Sequence, residues 1–181
     1  MKREHTPRNV AIAAEAIAAA QFARLGFDVS VQYGANQPEY DLVVARGDLL
    51  LKVSVKGSQD GSWGLTQSFL EKADYQGAID TWLKRHGSKT VFCFVQFKDV
   101  QFDQLPRLYL ARPDEVAQRL RETANGRGDT ILYEQHTWGV QAKAAGTTDQ
   151  IPATWKFSQA RIEQLFQMSL PRDSANLKIG A

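Results

Sequence analysis

Three short stretches of the chain carry residues able to act together on a charged substrate. Glu15 lies in an alanine-rich segment, Asp41 in Glu39-Tyr40-Asp41-Leu42-Val43-Val44, and Lys56 closes Ser54-Val55-Lys56 at the end of an apolar run. In that run Leu49, Leu51, Val53 and Val55 share one parity, and Leu50, Lys52, Ser54 and Lys56 share the other. In an extended chain Ser54 and Lys56 therefore point the same way, opposite an aliphatic face. At about 100° per residue, Glu15 falls in one helical stripe with Ala11, Ala18, Ala19 and Phe22. A carboxylate among small apolar residues is partly buried, and an unpaired buried charge costs several kcal/mol. It calls for a cation, a hydrogen-bond donor or a metal ion. Taken singly, each residue also has an ordinary reading: a solvated lysine on a half-exposed strand, a helix-surface glutamate, and a turn aspartate that opens a strand.

The elements that must hold these residues can be read in order. Val10 to Leu25 is rich in alanine and predicts a helix closed by Gly26. Val29 to Tyr33 alternates as a strand, residues 34–38 turn the chain, and Tyr40 to Ala45 is a second strand. Arg46-Gly47-Asp48 is a hairpin turn into a third strand, Leu49 to Lys56. Gly57 to Gly64 reads as a loop and Gln67 to Arg85 as one long helix ending at Gly87. Buried strands are expected over Thr90 to Phe97 and Leu108 to Ala111, and a helix opens at Pro113-Asp114-Glu115. A strand over Thr130 to Glu134 and a Ser158-capped helix to Met168 complete the series. The order α-β-β-β-α-β-β-α predicts one mixed α/β domain over residues 1–170, a central sheet flanked by helices, with a tail over 171–181.

A helix glutamate, a Gly-Phe-Asp-Val strand, an aspartate heading the next strand, a tight hairpin and a strand ending in x-Lys follow one another between about Val10 and Lys98. This series resembles the catalytic core of the PD-(D/E)xK nuclease superfamily, with its restriction endonuclease-like fold and α-β-β-β-α-β core. The resemblance implies a metal-dependent endodeoxyribonuclease that hydrolyses DNA phosphodiester bonds. It makes Asp41 the central ligand of a magnesium ion (manganese as substitute), Glu15 an auxiliary ligand, and Lys56 the group that activates water or stabilises charge. Magnesium suits such a site because it binds through one or two carboxylates, several waters and substrate phosphate oxygens. The chain departs from the pattern at Ser54, where family members carry Asp or Glu two residues before the lysine. Some type II restriction enzymes with Ser-x-Lys recruit a glutamate from the next helix. Glu71, expected in one stripe with Tyr75, Ala78 and Trp82, is the matching residue here, and Asp60 is a weaker substitute. The competing expectation is an inactive nuclease-fold module that binds DNA or a protein partner.

Composition agrees with an ordinary globular chain: 181 residues, 43% hydrophobic, 23% charged, with a net charge of +2. A charge so near zero permits DNA as a partner without arguing for it. The single cysteine, Cys93, lies in an apolar run and reads as a buried small hydrophobe, and one cysteine forms no internal disulfide, which fits a reducing, cytoplasmic setting. No apolar stretch is long enough to span a membrane. His5, His86 and His136 lack ligand spacing and read as structural or exposed, and Trp63 reads either as a loop anchor or as a surface for base stacking. Cutting both strands of a duplex usually takes two sites, so a homodimer is expected.

Overall fold

Thr6 opens the first helix, α1 (Pro7–Arg24), its side chain accepting a hydrogen bond from the Asn9 N–H, with proline in the first turn. The helix stops where Gly26 takes a positive φ of 81°. The structure, a computed structural model, describes residues 6–32, 39–87, 89–140, 142 and 144–169. The expected end of the first strand at Tyr33, the turn over 34–38, His5 and the tail over 171–181 lie outside the described residues.

Strands β1 (Asp28–Val31), β2 (Leu42–Arg46) and β3 (Leu49–Ser58) form an antiparallel meander. Its second turn is the expected hairpin, with Gly47 at φ 59°. β4 (Ser62–Gly64) and α2 (Tyr75–Leu83) lead to β5 (Thr90–Gln96), which pairs parallel to β3, and β6 (Arg107–Ala111) pairs antiparallel to β5. The result is a five-stranded mixed sheet in the order β1-β2-β3-β5-β6, flanked by helices on both faces. All seven residues of β5 are buried, as expected for a central strand covered on both sides.

Each face has its own core. On one, Leu51, Val53, Val55 and Cys93 meet Ala14, Ala18 and Phe22 of α1 and Ile162, Leu165 and Phe166 of α4 (Gln159–Met168). On the other, Phe92 and Phe94 meet Ile79 and Trp82 of α2, Val116 and Leu120 of α3 (Pro113–Glu122), and Trp63. β7 (Ile131–Tyr133) pairs with β4, and β8 (Gln135–Thr137) with β9 (Thr148–Gln150). No helix among the described residues is long and apolar enough to cross a membrane.

The structure corrects two expectations. The helix expected over Gln67 to Arg85 is broken: a 3-10 turn spans Gln67–Phe69, Lys72 and Ala73 take positive φ values of 48° and 61°, and α2 begins only at Tyr75. Asp74 starts it, accepting from the Gly77 N–H at 2.9 Å, and a Cβ at Gly77 would come within 2.3 Å of that carboxylate. The expected loop over Gly57 to Gly64 instead holds the last residues of β3 and the whole of β4.

Candidate active site

The register of β2 against β3 runs Leu42↔Val53 to Arg46↔Leu49, so pairing ends one residue past Asp41. The Asp41 N–H still donates to the Val53 carbonyl at 2.9 Å, and its carbonyl accepts from the Gln32 N–H at 2.8 Å. Beyond this point β2 leaves β3, and the Val55 N–H would lose its partner. The Asp41 side chain replaces it: Oδ2 accepts from the Val55 N–H at 2.6 Å. Asp41 is thus held in the plane of the sheet, in the gap between two diverging strands. A charged acceptor on a backbone N–H is among the stronger hydrogen bonds.

α1 crosses the end of β3 at very short range. A Cβ at Gly57 would sit 2.9 Å from Ala14 Cβ, 2.9 Å from the Val10 carbonyl oxygen and 3.0 Å from Val10 Cγ1. Gly57, directly after Lys56, is therefore what lets the helix seat there. The neighbouring Glu15 is half-buried, and its pKa is raised first by burial and then by the charge of Asp41, with Lys56 opposing. Glu15 thus feels the charges of both Asp41 and Lys56. The buried stripe of α1 is Ala14, Ala18 and Phe22, while Ala11 is exposed. Glu15 flanks that stripe rather than lying in its middle, which leaves it half-buried.

Lys56 is exposed and Ser54 only 3% exposed, on the sheet face where Ser54 pairs with Phe92 and Lys56 with Phe94. Trp63 anchors the strand end from beneath. It is 4% exposed, its ring lies 5.2 Å from that of Phe94, and its Nε1 donates to the Lys56 carbonyl at 2.9 Å. It presents no face to a nucleic acid base, so of its two readings the anchor holds.

The remaining carboxylates sit apart. Glu71 is exposed in the turn before α2, while of its expected stripe Ala78 and Trp82 are buried and Tyr75 is half-buried. Among the described residues no three His, Cys, Asp or Glu side chains are grouped as a metal cage would need, so the structure does not gather Glu71 with Glu15 and Asp41. Asp60 is committed to its own turn, accepting from the Ser58 hydroxyl at 2.9 Å and from the Ser62 N–H and hydroxyl at 2.9 and 3.0 Å. Burial works against its charge, but these bonds prevail and hold its pKa low.

One neighbour of the gap was not singled out by sequence. His86 packs against Trp82 and Phe92, ring centroids 4.6 and 5.1 Å away, and neither imidazole nitrogen has a hydrogen-bond partner among the described residues. Its Nδ1 lies 3.8 Å from the Glu39 carboxylate. Burial lowers its pKa, Glu39 raises it, and the charges of Lys56 and Arg85 lower it further. The signal was available: His86 continues the stripe of Ala78 and Trp82 by a further step of four.

Asp41 and Glu15 could supply oxygen ligands to a hard divalent cation, which would relieve the repulsion between them. Magnesium needs no more than one or two protein carboxylates when waters and phosphate oxygens complete its shell. No family model matches the chain, and no curated protein does. Among solved structures, the chain is similar to the bacterial homing endonuclease I-Ssp6803I, with a TM-score of 0.49 over 97% of this chain and 99% of that one, at 14% identity.

Proposed function

We propose that the protein is a metal-dependent endodeoxyribonuclease of the PD-(D/E)xK type, with its reaction centre in the gap between β2 and β3. The observation that carries this reading is the Asp41 carboxylate, fixed on the Val55 N–H and near enough to Glu15 that, after burial, its charge raises the Glu15 pKa, which the charge of Lys56 opposes. Asp41 and Glu15 would hold the magnesium ion, which when bound lowers the pKa of a coordinated water and neutralises charge on the scissile phosphate. Lys56 brings a compact positive charge to the same place, orienting the attacking water or stabilising the phosphate oxygens in the transition state. DNA is the substrate in this reading, and a homodimer would bring two such centres to the two strands of a duplex.

The test is nicking of plasmid DNA in Mg2+ or Mn2+ by the wild type and by Asp41→Asn, Lys56→Ala and Glu71→Ala. Asp41→Asn and Lys56→Ala should each lose about a hundredfold or more, the scale on which one charge-stabilising group acts. Loss of activity in Glu71→Ala would make Glu71 the second carboxylate despite its exposed turn; full activity would leave the metal to Asp41 and Glu15. That no three candidate ligands are grouped among the described residues favours a second reading, a nuclease-fold module that binds DNA or a protein partner without cutting DNA. A wild type that binds duplex DNA but neither binds the metal in calorimetry nor nicks DNA would favour the second reading over the first.

A further inference from the structure

The hairpin of β8 and β9 is built with two unlike faces. Gln135 pairs with Gln150 and Thr137 with Thr148 on one side, where all four residues are exposed and the two threonine hydroxyls lie 3.0 Å apart. His136 and Asp149 occupy the other side and fasten it to the body. Asp149 pairs with Arg119 and accepts from the Ala124 N–H at 2.9 Å and the Trp138 indole at 2.6 Å. His136 is stacked on Tyr133, with ring centroids 4.4 Å apart. The ribbon's one acid is thus turned inward and neutralised, and amides and hydroxyls alone remain outside. Strands this short and polar have little hydrophobic reason to pair, so the fold holds the ribbon in shape mainly through its back face.

The outward face borders an open groove of about 930 Å3, lined by Gln135, Thr137 and Gln150 together with Lys98 and Lys156. Its two acids are Asp99 and Glu134, and Glu134 is already bound twice by Arg107, at 2.6 and 2.9 Å. The groove therefore offers two exposed lysines and one exposed acid, Asp99, beside the uncharged, hydrogen-bonding surface of the ribbon. Two strands about 4.8 Å apart fit within the major groove of B-DNA, about 12 Å wide. Glutamine is a side chain that binds adenine through two hydrogen bonds, and the threonine methyl suits the methyl of thymine.

We infer that the β8–β9 ribbon reads DNA base edges in the major groove, with Lys98 and Lys156 on the flanking phosphates. The inference rests on DNA being the substrate, as in the function proposed above, but not on cleavage. The test selects binding sites from a pool of duplexes with a randomised core, without divalent metal, using the wild type, Gln135→Ala/Gln150→Ala and Lys98→Ala/Lys156→Ala, each checked for folding by circular dichroism. The wild type should enrich a consensus containing A·T pairs. The glutamine variant should bind that site roughly tenfold to a hundredfold more weakly while keeping its affinity for unselected duplex. The lysine variant should weaken on both and lose about one unit of salt slope per lysine. The same consensus and affinity in the glutamine variant, or no enrichment by the wild type, would overturn the inference. Selective binding by a protein that never nicks DNA would sustain it and defeat only the endonuclease reading.

Discussion

Gly57→Ala tests the seating of α1 over the gap between β2 and β3. The new methyl would lie 2.9 Å from both Ala14 Cβ and the Val10 carbonyl oxygen, and 3.0 Å from Val10 Cγ1. Carbon atoms at rest sit about 3.5–4.0 Å apart, so the first turns of the helix must lift by roughly the shortfall. Overpacking of this kind costs about 1–3 kcal/mol. Glu15, next to Ala14, moves with the helix, and a misplacement of about 1 Å can cost a catalytic centre about a hundredfold. Urea denaturation reads the first effect as a lower midpoint at unchanged slope, and plasmid nicking under conditions of full folding reads the second. Ala14→Gly in the same chain removes one of the three contacts but leaves the Val10 carbonyl, and should restore only part of either. An unchanged midpoint and rate would refute the close seating. Lost stability with an unchanged rate per folded molecule would refute the dependence of the chemistry on the position of Glu15.

Three further outcomes can be checked. Trp63→Phe keeps most of the packing but leaves the Lys56 carbonyl without its indole partner, which should cost about 1–3 kcal/mol in urea denaturation. For Asp149, burial disfavours the charge, but the bonds from Ala124, Trp138 and Arg119 outweigh it and lower its pKa. Its contribution to stability is therefore complete above the unfolded aspartate value of about 3.9 and is lost as pH falls below it; thermal melts on either side should show a smaller acid loss in Asp149→Asn. Burial lowers the pKa of His86 in the fold, so the unfolded chain takes its proton first. Stability should fall as pH drops through about 6.5, and His86→Phe should flatten that fall in melts at pH 5 against pH 8, choices that bracket about that value.

Local signals carried far in the first half of the chain. The parity of Leu49 to Lys56, the Gly47 turn and the alanine-rich run with its Gly26 stop each specify an element without help from the rest of the fold, and β2, β3 and α1 follow them closely. The 67–85 segment misleads because Glu71 and Asp74 both suit the start of a helix. The small Gly77 three residues after Asp74 is the deciding feature, giving that carboxylate an N–H to accept without obstruction. β8 and β9 leave no periodic trace, since Gln, Thr, His and Asp alternate nothing apolar and Asp149 finds its partners on distant elements. At the site, the residue types could be named from sequence. The Asp41 bond to the Val55 N–H could not, because it arises only where two paired strands part.

The two faces of the sheet are finished at different times during synthesis. Among the described residues, the apolar cluster on the side closed by α2, α3, Trp63 and Trp155 takes no residue beyond Trp155. The side that carries Glu15 needs Phe22 and Phe27 of the N-terminal region to meet Phe157 and Phe166, and Arg46 of the β2–β3 hairpin to pair with Glu163 at 3.6 Å. A nascent chain emerges from its N-terminus, so α1 and the strands bearing Asp41 and Lys56 leave the ribosome well before the helix that covers them. Until α4 follows, the aromatic side of α1 has no lid. The residues of the candidate centre are thus made before the layer that covers them.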